Sequence, residues 1–379
     1  MKVGQRIECY KAIEDYRKRP LIAYATSTRV GVPAIIAGDA VREFIDQIDS
    51  IEEGNSIDVL IHSTGGDPLT AWKLMSLLRE RFENIGVLVP SMSFSAATLF
   101  ALGADEIVMH PHSSLGPIDP QITITTPDGK PRVFSFEDVG AFLRFLSEEV
   151  HLTEQAVLSP VVDKLFSAVD PVQVGAAKRA SELSTEVGER LLQMHMTSTE
   201  DRTRARSIAE GLNKSFFAHG DAVSRTRARV LSLKIAPDDR KLENLIWKAF
   251  IGIEEYMELR KPFIPLKHFL ENGGAASVAP KAPVALPPDT PAPLAQQVWS
   301  GIAQAAMAAS AQKGLEVPYG LVTALIESRR IASESFADGW FVGTRMPNGE
   351  VRVSAVPNDS RWRSVQISGN VEEATPTEA

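Results

Sequence analysis

The feature that most constrains this chain is the alternation, between residues 21 and 109, of short apolar runs with segments of helical period. Leu21-Ile22-Ala23-Tyr24-Ala25, Ile57-Asp58-Val59-Leu60-Ile61-His62, Val87-Leu88-Val89 and Ile107-Val108-Met109 have strand length and are mostly apolar without strict alternation. That is the pattern of strands covered on both faces. Between them, Gly38-Asp39 offers an N-cap to a helix bearing Val41, Phe44, Ile45 and Ile48, and Leu69 to Phe82 carries Leu74, Leu77 and Leu78 on one face. Ser95 to Leu102 reads as a short helix. The order predicts an α/β fold, a parallel sheet with helices outside it.

The rest of the chain is predicted to be mostly helical up to residue 261. Residues 6–18 form an N-terminal helix, Thr123 to Phe136 a hairpin arm over Pro127-Asp128-Gly129, and the later helices run Val139 to Val150, Val172 to Met194, Arg202 to Phe216 and Leu242 to Leu259. The division expected is residues 1–18, a main domain over 19–262, an Ala/Pro-rich linker over 273–297, a small α+β module over 298–368 and a disordered tail over 369–379. Within the module, Val298 to Arg330 predicts two helices around Val317-Pro318, and Trp340-Phe341-Val342 with Val351-Arg352-Val353 a hairpin over Pro347-Asn348-Gly349.

Composition excludes several classes. Forty basic against 48 acidic residues give a net charge of -8, so the chain lacks the basic stripe that nucleic-acid binding requires. Arg202 to Arg229 is interspersed with acids and apolar residues and reads as a solvated helix face. The single cysteine, Cys9, excludes a disulfide framework and any multi-cysteine metal site. Ile85 to Ala104 is uncharged over a membrane-spanning length, but Pro90 and its serines divide it into a strand and a short helix. No P-loop motif is present.

Two strand-to-helix turns carry the chemistry. In Ser63-Thr64-Gly65-Gly66-Asp67-Pro68, paired glycines let backbone N–H groups face outward at a helix N-terminus, the arrangement that holds an oxyanion. In Pro90-Ser91-Met92-Ser93-Phe94-Ser95-Ala96-Ala97-Thr98, a serine at the first turn of a helix stands at the carboxyl edge of the sheet, with the next N–H beside it. Taken singly, the first is a tight turn and the second a serine N-cap.

Together, and with Ala104-Asp105-Glu106-Ile107-Val108-Met109 following so that Ser95 lies ten residues before Asp105, they resemble the Clp protease proteolytic subunit and signal peptide peptidase A superfamily. Within it the chain is most similar to the serine dehydrogenase proteinase family, through Ser95-Ala96-Ala97-Thr98, Pro111-His112-Ser113-Ser114-Leu115-Gly116-Pro117-Ile118-Asp119-Pro120-Gln121 and Phe217-Ala218-His219-Gly220. The resemblance covers roughly residues 15–260. It implies a Clp/crotonase-like spiral fold of parallel strands with outer helices, followed by a helical C-terminal half and a small appendage. It also implies a serine peptidase with a triad in the order Ser, Asp, His: Ser95 as nucleophile, Asp119 as acid and His219 as base. No histidine stands near Asp119, where the Clp order would put one. Backbone N–H groups of Gly65, Gly66 and Ala96 are the oxyanion donors.

Other readings stay open. His110 or His112 is a second choice of base, against a surface turn. His62 reads as a packed strand histidine, and His151, His195 and His268 as surface residues. A Ser–Lys dyad, as in signal peptide peptidase A, would use Lys178 or Lys164 as base, though both read as helix-surface lysines. Against a peptidase stand a crotonase-type acyl-CoA enzyme and a non-catalytic assembly protein in which Ser95 is only a cap. Ile122-Thr123-Ile124-Thr125 is a candidate strand for holding a peptide by β-addition. The expected partners are a peptide or protein substrate and further copies of this chain, with no nucleic acid, cofactor or metal. Many relatives carry an N-terminal membrane helix. Residues 1–20 hold no such run, so a cytoplasmic enzyme without membrane association is expected.

Overall fold

The computed structural model describes residues 2–32, 34–125, 129–214, 222–275, 278, 289–310, 316–345, 351–358 and 360–367. The fold is α/β, as the alternation predicts. Strands β1 (Leu21–Thr26), β2 (Ser56–His62), β3 (Asn84–Val89) and β5 (Glu106–Met109) lie side by side and parallel, with β4 (Met92–Ser93) set off between β3 and β5 in the chain. Their side chains alternate between two apolar layers. Ile22, Tyr24, Val59, Ile61, Val87 and Val89 face helices α2 (Ala40–Asp49), α3 (Pro68–Arg81) and α4 (Ala96–Leu102). Ala23, Ala25, Leu60, Leu88 and Val108 face α1 (Val3–Arg17) and α10 (Arg240–Tyr256). Burial on both sides explains why these strands read as apolar runs without alternation. Ile85 to Ala104 is indeed divided, into β3 and α4, and among the described residues no helix is long and apolar enough to cross a membrane.

A small second sheet stands off the strand ends. In it β4 pairs in parallel with β6 (Ser114–Leu115), which pairs antiparallel with β9 (Val223–Ser224). The expected hairpin arm is present as β7 (Gln121–Thr125) against β8 (Pro131–Ser135), although its turn residues 126–128 lie outside the described residues. It leads into α5 (Phe136–Arg144), α6 (Gln155–Ala168), α7 (Pro171–Gln193), α8 (Thr199–Lys214) and α9 (Arg225–Val230). Helix α6 went unread in the sequence, where Pro160 interrupts its pattern.

The C-terminal residues depart furthest from expectation. The first predicted helix of the module exists but starts at Ala292, inside the expected linker. The second does not exist. Residues Glu316–Glu327 form β10, antiparallel to β1, and β11 (Ala332–Arg345), β12 (Val351–Pro357) and β13 (Arg361–Ser364) extend the same sheet outward. Covering the free edge of β1 satisfies its backbone groups. A buried charged cluster fastens this edge. Glu327 accepts from Arg6 Nε at 3.0 Å and from Tyr10 Oη at 2.8 Å, and the Arg6 guanidinium lies 3.8 Å above the Tyr256 ring. The strands of the expected hairpin pair as Val342 with Ser354 and Gly343 with Val353, but its turn lies outside the described residues, as do 369–379 and much of the linker. Asp39 precedes α2 without capping it. Its carboxylate accepts from Trp362 Nε1 at 2.8 Å instead.

Candidate active site

The two chemistry-bearing turns meet. A Cβ at Gly65 would stand 2.6 Å from Ser95 Cβ and 2.7 Å from Phe94 O, so only a glycine, here at φ 113°, lets the first bend lie against the second. Gly66, at φ 151°, runs against Ile36, whose carbonyl oxygen would be 2.2 Å from any Cβ placed there. The bends are tied through the strands below them: Ser63 N–H donates to Met92 O at 3.2 Å, and Phe94 N–H to Ser63 O at 3.0 Å.

Ser95 occupies the N-cap position of α4 but makes no capping hydrogen bond. Its backbone is at φ 52°, ψ −118°, outside the common basins of a residue with a Cβ. This is the sharp strand-to-helix turn that holds a hydroxyl clear of the backbone. The hydroxyl has no hydrogen-bond partner among the described residues, so the bland reading of Ser95 as a cap fails. Around it lies a cavity of about 250 Å³, lined on one side by Thr64, Gly65, Gly66 and Pro68 and on the other by Leu99, Ile118, Pro120 and Ser184.

The three expected oxyanion donors are not equivalent. The Gly65 N–H donates to Ser63 Oγ at 3.0 Å, an oxygen that also lies 2.7 Å from Thr26 Oγ1. The Gly65 donor is therefore engaged inside the turn in this structure. Gly66 N–H and Ala96 N–H have no partner among the described residues and are the donors left at this bend. Asp105, ten residues after Ser95, serves the fold: its carboxylate accepts from Arg79 Nη1 at 2.8 Å and from Ile85 N–H at 2.7 Å.

Asp119 is half-buried between Ile118 and Pro120, which both line the cavity. Its segment is laid beside the Ser95 turn as a continuing ladder: Gly116 N–H donates to Ser93 O at 3.0 Å and Ser95 N–H to Pro117 O at 3.2 Å. Ser184 Oγ braces the segment from α7 by donating to Ile118 O at 2.5 Å. His219 lies outside the described residues.

Among the described residues no histidine or lysine lines the cavity. His62 is fully enclosed on the α10 side of the sheet, its ring 4.8 Å from Phe250, and burial pulls its pKa down to about 4. His110 is not in an open surface turn: it is buried, stacks 4.8 Å from Trp247 of α10, and burial followed by the neighbouring His112 lowers its pKa. His195 is also not a plain surface residue. Its Nε2 lies 2.9 Å from Leu102 O at the far end of α4, and burial lowers its pKa. Lys178 is more than half exposed, pairs with Glu182 at 3.3 Å, and lines a separate hollow with Phe136, Ser181 and Thr185. It lacks the burial that a lysine base requires.

Residues 3–129 match the family described as ClpP-like SDH-type serine proteinase. Two uncharacterized proteins of Methanocaldococcus jannaschii are similar to the chain, one 32% identical over 127 residues and the other 36% identical over 81. Those stretches are 32% and 21% of this chain and 44% and 28% of the relatives, so the chain spans less than half the length of the curated relatives it matches. Among solved structures, a mutant of the 1510-N membrane-bound stomatin-specific protease aligns at 14% identity and a TM-score of 0.35, over 56% of this chain and 79% of that one. ClpP1 from Listeria monocytogenes aligns at 14% and 0.33, over 61% and 97%.

Proposed function

We propose that this chain is a serine peptidase in which Ser95 is the nucleophile. The observation that carries the reading is the strained, uncapped Ser95 held against the diglycine bend, with its hydroxyl facing a cavity and two uncommitted N–H groups beside it. Ser95 Oγ attacks the carbonyl carbon of a peptide bond and passes its proton to an imidazole. The oxygen that becomes negative is held by Gly66 N–H and Ala96 N–H. The tetrahedral species collapses as the imidazolium protonates the departing amine, and water releases the acyl group by the same steps in reverse order.

The base in this reading is His219, oriented by Asp119. Support comes from the described residues on either side of it. Leu212 O, upstream, accepts from Ile118 N–H at 3.0 Å, and Val223, downstream, pairs with Leu115. Both partners belong to the segment that carries Asp119 and runs beside Ser95. The substrate is an extended peptide, and β7, whose first residue Gln121 lines the cavity, is the strand it would lie along.

Fluorophosphonate labelling tests the reading. The wild-type chain labels once, at Ser95, and Ser95→Ala does not label. His219→Ala abolishes labelling while Lys178→Ala leaves it unchanged. Labelling that survives Ser95→Ala overturns the nucleophile. Loss on Lys178→Ala with survival on His219→Ala replaces the triad by a dyad.

A further inference from the structure

Thr98 is fully buried in the first turn of α4, and its hydroxyl does not bond within its own helix. A threonine inside a helix ordinarily returns its hydroxyl to the carbonyl one turn back. Here Oγ1 leaves α4. It lies 2.5 Å from Ser93 O and 2.9 Å from Gly116 O, and it accepts the Gly116 N–H at 3.1 Å. With a single proton it donates to one carbonyl at a time, the nearer being Ser93 O.

These partners sit where the ladder ends. Ser93 is the last residue of β4, two before the nucleophile, and Gly116 follows β6, three before Asp119. Beyond the Gly116–Ser93 and Ser95–Pro117 rungs the two chains separate, one into the Ser95 turn and the other toward Asp119. A residue held at φ 52° keeps that conformation only where its surroundings fix it from several sides. Gly65 presses on the Ser95 turn from one side, and Thr98 clasps it to the neighbouring segment from the other.

We propose that Thr98 is a positioning residue, a clasp of one donated and one accepted hydrogen bond that fixes the nucleophile's turn and the register between it and the Asp119 segment. The proposal rests on Ser95 being the nucleophile. Thr98→Val nearly keeps the side-chain shape and removes the hydroxyl, so that Ser93 O loses one of its two donors and the Gly116 N–H, shared between Thr98 Oγ1 and Ser93 O, loses one of its two acceptors. Thr98→Ser restores the hydroxyl.

The test measures fluorophosphonate labelling rate, kcat and KM on a fluorogenic peptide, and hydrogen exchange at the Gly116 amide. Thr98→Val is expected to slow labelling and kcat by roughly tenfold to a hundredfold, the range that a small misplacement costs, with KM within about twofold of wild type. Gly116 exchange accelerates, and Thr98→Ser recovers all of these. Wild-type labelling rate together with unchanged Gly116 exchange in Thr98→Val overturns the clasp, as does a loss that Thr98→Ser fails to recover. A wild-type chain that never labels instead overturns the nucleophile, and the clasp's catalytic meaning with it. Should Thr98→Val not fold, Thr98→Cys takes its place with the same expected losses, since its thiol is a weak hydrogen-bonding group.

Discussion

The turns after β2 and β3 occupy equivalent places, each carrying the chain from a parallel strand into a helix on the same face of the sheet, yet they are built oppositely. At the first, Asp67 has ordinary extended backbone, φ −75° and ψ 118°, and its carboxylate accepts from Leu69 N–H at 3.1 Å and Thr70 N–H at 3.0 Å. At the second, Ser95 is strained and leaves the helix uncapped. One side chain is committed to the backbone and the other is kept from it. If Ser95 is the nucleophile, one helix start serves stability and the other chemistry with the same topology, and the backbone angle of the cap residue marks the difference.

The comparison breaks most visibly at Ser95. Ser95→Ala should lower peptide turnover on the order of a thousandfold or more, with a melting temperature close to wild type. If the two melt far apart, Ser95 is structural. Gly65→Ala should destabilise by more than about 3 kcal/mol, because the new Cβ meets Phe94 O and Ser95 Cβ at a backbone angle that L residues avoid. Urea unfolding reads this, and a near-neutral result means the two bends are not in contact.

Acid tests the strand that feeds the Asp67 turn. The unfolded chain takes up a proton at His62 near pH 6.5, whereas the folded chain holds the ring neutral down to about 4. Stability from the neutral ring is therefore complete above 6.5 and is lost as pH falls toward 4, by on the order of 3 kcal/mol. Denaturation midpoints across that interval should slope less in His62→Gln, and equal slopes would remove His62 from the account. Asp67→Ala should cost about 1 kcal/mol, the usual worth of an N-cap, with labelling at Ser95 retained. The smallest effect should come from Ser95→Gly, which abolishes labelling yet raises stability by up to about 1 kcal/mol through relief of the positive φ. A fall in stability would mean that Ser95 is not strained.

The sequence was most informative where one constraint acted alone. The inner strands are apolar because both faces are covered, and that pattern needs no knowledge of partners. The meeting of Gly65 with Ser95 was legible because paired glycines and an exposed serine each mark a turn after a strand. Long-range partners left no such mark. Val317-Pro318 reads equally well in a helix or a strand, and only the open edge of β1 decides for β10. Asp39 looks like a cap until Trp362, far along the chain, draws its carboxylate away. His110 looked like a turn residue because Trp247, which buries it, is remote in sequence. The bond that engages the Gly65 N–H was missed for the opposite reason. Its acceptor, Ser63, is only two residues away, but whether that hydroxyl turns inward depends on Thr26 on the neighbouring strand. Thr98 passed as part of a family pattern, since nothing local shows that its hydroxyl reaches Gly116.

Because β1 lies between β2 and β10, one of its two neighbours is translated about three hundred residues after it. At ribosomal speeds of 5–20 residues per second, that flank stays open on the order of half a minute. A nascent chain must therefore carry a largely apolar strand with one unpaired edge through most of its own synthesis, which makes this edge the place where a chaperone or a mispairing neighbour would first take hold.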